Sequence, residues 1–150
     1  MSDELYVVNV EAAIFRDDRW LMILRSAEEA HAAGTLSFVG GKVERAGIAD
    51  NILEETLRRE IAEEVDVTVT DKIRYVESKS FIADDGLPVV DIVFLCRYES
   101  GEPRALDSAE VANVEWMTFD AIMVHPKTPV WIKQSLRLAA ALKREVYPKA

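Results

Sequence analysis

The sequence predicts an α/β protein, an α/β/α arrangement in which a mixed β-sheet lies between helices. Three observations carry that prediction. β-rich runs occur in pairs around short turns, two substantial helical stretches are interleaved with them, and 150 residues suffice for one domain with its own core. No repeat, low-complexity run or linker-like Gly/Ser/Pro stretch divides the chain, so residues 1–150 are read as a single domain.

"ELYVVNVEAAIF" and "RWLMILR" flank Asp17-Asp18 and read as a hairpin turning there. "AEEAHAAG", from Ala27 to Gly34, is a loop or a short helical turn, and "TLSFVGG" is a short strand running into paired glycines. A helix is expected from Ile52 to Val65, with Asn51 and Glu54 as a capping box and Asp66 where it stops. "VTVTDKIRYVESKSFIA" and "LPVVDIVFLCRYE" form a second hairpin around "DDG". That tripeptide is a turn and not a calcium loop, because the other ligands and the closing glutamate are missing. "VEWMTFDAIM" gives a short strand entering a short helix. In the last helix Thr128 caps and Pro129 takes the first position. Trp131, Leu138 and Leu142 share one face, and Pro148 ends the element.

Composition narrows the function. A net charge of −9 disfavours nucleic acid and anionic membrane, so an anionic substrate would have to be held through cations. No apolar run approaches the ~20 residues needed to span a bilayer. "MSDELYVVNV" is acidic and is read as carrying no signal peptide, which makes the cytoplasm the expected location. The one cysteine, Cys96, sits in an apolar run and reads as a buried thiol. Phe38, Trp20 and Tyr75 read as core residues, with stacking on a base as the alternative. His31 and His125 have no partners at metal spacing.

"RREIAEEVD" crowds three glutamates into a helix that must also help build a core. At about 100° per residue, Glu64 falls about 40° from Glu60 and both lie at the rim of the apolar stripe. Glu63 lies about 60° to the other side of Glu60. The sequence thus places three carboxylates along one edge. Like charges one turn apart repel, and partial burial sharpens the conflict. Either this is a solvated face or a divalent cation resolves the repulsion.

The wider pattern resembles the Nudix hydrolase signature, G-x5-E-x7-R-E-U-x-E-E-x-G-U with U aliphatic. Gly41 opens it, Arg59-Glu60-Ile61-Ala62-Glu63-Glu64 supplies R-E-U-x-E-E, and Val67 closes it. Gly40 and Glu44 also match the usual opening, and the order of elements is similar along nearly the whole chain. Two departures stand out. The span from Gly41 to Arg59 carries four extra residues, so the family's first glutamate falls on Asn51, and either Glu44 substitutes for it or that role is lost. Asp66 replaces the family's glycine.

The resemblance implies the Nudix α/β/α sandwich and hydrolysis of a nucleoside diphosphate linked to another moiety. Mg²⁺ is the implied cofactor, with Mn²⁺ as a substitute. The implied partners are a small nucleotide and, by family habit, a second copy of the chain. It further implies Glu60 and Glu64 as metal ligands, Glu63 as a third ligand or base, the Gly41 carbonyl as a further ligand, and Arg59 as the residue that holds the glutamates. Gly40 and Gly41 would approach the substrate. Arg25 either contacts phosphate or is a surface arginine, and Lys42 either does the same or is merely exposed. Glu99, Glu102 and Glu110 are candidates for a base on a later loop. "FIADDGLP" carries neither the proline of ADP-ribose enzymes nor the tyrosine of dinucleoside polyphosphate enzymes, and the coenzyme A signature is absent. Substrate identity therefore stays open between a nucleoside triphosphate and a nucleoside diphosphate derivative. The alternative is a Nudix-fold module that binds or regulates without cutting.

Overall fold

The computed structural model describes residues 4–149. Its strands are β1 (Val7–Arg16), β2 (Arg19–Arg25), β3 (Leu36–Ser37), β4 (Val39–Lys42), β5 (Thr68–Val69), β6 (Arg74–Ile82), β7 (Pro88–Ser100) and β8 (Val111–Thr118). The helices are α1 (Ile52–Val65), α2 (Phe119–Val124) and α3 (Val130–Val146). β1 is the central strand: it pairs antiparallel with β2 and β4 on one side and parallel with β7 on the other. The sheet is therefore mixed, as the sequence predicts. No helix among the described residues is long and apolar enough to cross a membrane.

Both faces of the sheet are covered, and strand alternation divides the core in two. Val10, Ala12 and Ile14 of β1 join Leu21, Ile23, Phe94 and Cys96 under α1, packed on Leu57, Ile61 and Val65. Ala13 and Phe15 of β1 join Trp20, Met22, Val93 and Leu95 under α3, packed on Ile132, Leu136 and Ala139. Successive residues point to opposite faces, so one apolar strand serves both layers. Cys96 is fully buried, and burial pushes its thiol up to about 12.

The hairpin at Asp17-Asp18 and the turn at Asp84-Asp85-Gly86 form as expected, with Asp17 in the left-handed region that aspartate tolerates. Residues 27–34 form a loop with turns. α1 has the predicted bounds, but Asn51 is left-handed (φ 54°) and makes no side-chain cap. A capping side chain needs an extended Asn51, which its left-handed backbone does not provide. Only the Asn51 carbonyl takes part, accepting from the Glu55 N–H at 2.9 Å.

The stretch after α1 is two strands, because Arg58 draws the carbonyls of Val69, Thr70 and Asp71 to itself at 3.2 Å each. "TLSFVGG" likewise splits: β3 pairs with β2 and β4 with β1. Tyr75 is exposed on β6, whereas Phe38 and Trp20 are in the core. At α3 Pro129 is the residue before the helix, with an extended ψ of 157°. The Thr128 hydroxyl has no hydrogen-bond partner among the described residues.

The buried face of α3 also differs from expectation. Trp131 and Leu138 are 45% and 43% exposed, while Ile132, Leu136 and Ala139 are enclosed and Leu142 packs at the margin. Small residues at Ser135, Ala139 and Ala140 let this side of the helix approach the sheet closely. Leu136→Ala should therefore cost about 2–5 kcal/mol in urea unfolding, and Leu138→Ala within about 1 kcal/mol. Equal losses would restore the other face.

Candidate active site

α1 presents Glu60 and Glu64 to the sheet at the point where β4 runs antiparallel beside β1. Glu64 is only 5% exposed, and its carboxylate accepts from the Gly40 N–H at 3.3 Å. Glu60 lies directly against Gly41: a Cβ at that glycine would sit 2.2 Å from the Glu60 carboxyl carbon. At Gly40 a Cβ would sit 2.2 Å from the Val10 carbonyl oxygen, inside the β1–β4 ladder. The glycine pair therefore makes room for a carboxylate on one side and for a neighbouring strand on the other.

Arg59 ties the acids together. Its guanidinium donates to Glu60 at 3.0 Å and to the Lys42 carbonyl at 3.1 Å, and it lies 3.4 Å from Glu44 and 4.0 Å from Glu63. Its bond to Glu60 raises its own pKa further. Glu63 does not join the other two; its side chain is 63% exposed at the solvent edge. Lys42 is exposed.

Burial, then Glu60, then Glu110 push the Glu64 carboxyl up to about 8. The same electrostatics ranks the later glutamates. Glu110 is close enough to feel Glu60, and partial burial raises its pKa. Glu99 accepts from Thr68 at 3.2 Å on the surface and Glu102 is exposed. Arg25, at the end of β2, donates to Glu29 at 2.7 Å and to the His31 carbonyl at 3.0 Å. Its charge opposes the upward shifts of Glu64 and Glu110. His31 lies 3.3 Å from Asp84 and stacks on Phe81, and His125 accepts from the Lys127 N–H.

One polar cluster has no counterpart in the sequence reading. On the α3 side of the sheet, burial and then Asp91 hold the Glu11 carboxyl well above its ordinary value. Asn9 donates to Asp91 at 2.6 Å. The signal available in the sequence is a pair of acids at inward positions of two strands, which has meaning only once those strands are paired.

The donors that Glu60 and Glu64 offer are hard oxygens, and the crowding of two carboxyls, one nearly enclosed, fits a divalent cation. Among the described residues no three His, Cys, Asp or Glu side chains converge as ligands. Mg²⁺ commonly completes its shell with water and substrate phosphate oxygens, so a pair of carboxylates is compatible with it. A groove of about 520 Å³ lies on another flank of α1, lined by Glu54, Glu55, Arg58, Asp71 and Lys72. Its charges are of both signs, and its Arg58 is already spent on three carbonyls.

Comparisons with known proteins agree with this geometry. Residues 5–146 match the NUDIX domain family model. A MutT NUDIX hydrolase from Burkholderia pseudomallei superposes with a TM-score of 0.76 at 27% identity, covering 90% of this chain and 98% of that one. The MutT protein from Methanosarcina mazei Go1 gives 0.76 at 23% identity, over 95% and 99%. The NUDIX domain of Shewanella oneidensis NrtR, in complex with ADP ribose, gives 0.70 at 17% identity, over 96% and 90%. No curated protein matches the chain.

Without metal, the folded chain keeps the Glu64 proton up to about pH 8, whereas the unfolded chain releases it near 4.5. Folding takes up a proton in that window, so stability falls as pH rises through it. Glu64→Gln should stabilise the metal-free protein by on the order of a few kcal/mol at pH 8, and the gain should shrink towards pH 5. Thermal unfolding in chelator at both pH values checks this; a gain that grows at low pH would reverse the sign.

Proposed function

The chain belongs to the NUDIX domain family, and on that premise we propose that it hydrolyses the pyrophosphate bond of a nucleoside diphosphate linked to another moiety. The substrate is a nucleoside triphosphate or a nucleoside diphosphate derivative, and Mg²⁺, replaceable by Mn²⁺, is the cofactor. The observation that carries the reading is Glu64, almost fully enclosed beside Glu60 and against the Gly40-Gly41 backbone. A carboxyl held there in conflict with its neighbour is costly for a protein that never binds a cation.

Glu60, Glu64 and the Gly41 carbonyl would hold the ion, with Glu63 swinging in from the edge as a further ligand or acting as base. The ion would supply positive charge to the pyrophosphate oxygens and acidify the attacking water. Arg59 keeps the Glu60 carboxylate aimed while leaving its far oxygen free. Arg25, braced by Glu29 and the His31 carbonyl, offers its remaining charge to a phosphate. Glu110 is the favoured base among the later glutamates: its carboxyl shares the field of Glu60 and Glu64, and its carbonyl is tied to the residue after Arg25. Water adds to phosphorus, the bridging P–O bond breaks, and the leaving oxygen takes the proton.

The second reading is a module that binds nucleotide without cutting it. Its support is the outward Glu63 and the left-handed Asn51 at the position of the family's first glutamate.

Incubation of a nucleotide panel with Mg²⁺, scored for phosphate, pyrophosphate and nucleoside monophosphate, separates the two. Turnover of at least one compound is expected, reduced at least about a hundredfold by Glu64→Gln. Tight binding of one compound with no turnover of any would establish the module.

A further inference from the structure

The segment between β7 and β8, residues 101–110, has no regular structure, yet it is fastened at both ends. At one end it closes the C-terminus of α1: the Arg104 N–H donates to the Val65 carbonyl and the Leu106 N–H to the Glu64 carbonyl, each at 3.1 Å. Those carbonyls lie in the last turn, where the helix itself offers no donors. The Arg104 guanidinium also grips the Asp66 carboxylate, at 3.0 Å from Nε and 2.9 Å from Nη2. At the other end Glu110 and Val111 donate from their N–H groups to the Asp107 carbonyl, at 3.1 and 2.8 Å. The Ser26 N–H donates to the Glu110 carbonyl at 2.9 Å, which ties the segment to the residue after Arg25. Glu110 is thus suspended between the helix of Glu60 and Glu64 and the strand of Arg25.

Asp66 stands out in this arrangement. It is left-handed, with φ 60° and ψ 40°, a conformation that suits glycine best. Glycine would end the helix with less strain but would leave Arg104 without its ion-pair partner. We propose that Asp66 and Arg104 are positioning residues, which dock residues 101–110 on the end of α1 so that the Glu110 carboxylate faces Glu60 and Glu64. The inference rests on the hydrolytic reading for its effect on rate, but the docking itself can be measured without turnover.

The experiment compares Asp66→Gly, Asp66→Asn, Arg104→Gln and Arg104→Lys with the unaltered chain and with Glu110→Gln. Asp66→Gly should raise Tm, because the strain is relieved, while kcat falls about tenfold with KM unchanged. Asp66→Asn and Arg104→Gln should give a similar fall. The double variant Asp66→Gly/Arg104→Gln should be no slower than either single one, and Arg104→Lys should recover part of the rate. In the Glu110→Gln background Asp66→Gly should change kcat no further. Amide hydrogen exchange at residues 104–110 should quicken in Asp66→Gly whether or not a substrate is in hand. Unchanged exchange there, or kcat held within about twofold, would overturn the positioning role. Turnover of no compound in the panel defeats the hydrolytic reading separately, and the exchange result then decides the docking on its own.

Discussion

Two carboxyl groups one helical turn apart, with one of them enclosed, set the terms for everything around them. Glu64 cannot be solvated where it sits, and Glu60 is pinned by Arg59 so that it cannot withdraw. The surroundings answer this constraint at several points. Gly40 presents its N–H to Glu64, Gly41 gives up side-chain volume to Glu60, and Arg25 sends positive charge from the end of β2. None of these compensates fully, as the displaced Glu64 pKa shows.

The sheet is what allows such a site to be precise. β1 contributes alternate residues to both cores and also carries β4 along its edge, so the glycine pair is referenced to the central strand of the sheet. α1 packs against the same strand through Leu57, Ile61 and Val65. Glu60 and Glu64 are therefore fixed from both sides by rigid elements, and the groups left on loops, Arg25's braces and Glu110, are held by backbone hydrogen bonds instead.

Much of this was legible in the sequence. The bounds of α1, both hairpin turns and the inward lean of Glu60 and Glu64 follow from local periodicity and turn chemistry. What was hidden depends on partners distant in the chain. The buried face of α3 was misassigned because two stripes fit the helical period, and the one that packs is made partly of alanine and serine. Glu63 follows Arg59 outward, which no angular count reveals. The Asn51 cap failed because backbone conformation, not residue type, decides whether a side chain can cap. Glu110 and the Glu11–Asp91 pair acquire neighbours only through tertiary pairing.

The parallel pairing of β1 with β7 carries a consequence for how the chain is made. Asn9 and Asp91 hydrogen-bond across 82 positions of sequence, so one side of the central strand stays unpaired until β7 has been synthesised. A nascent N-terminal portion can form the first hairpin and α1, but it presents an unfilled apolar strand edge of the kind that recruits other chains. Long-range parallel pairing of this kind favours slow closure of the sheet, whatever the finished site goes on to bind.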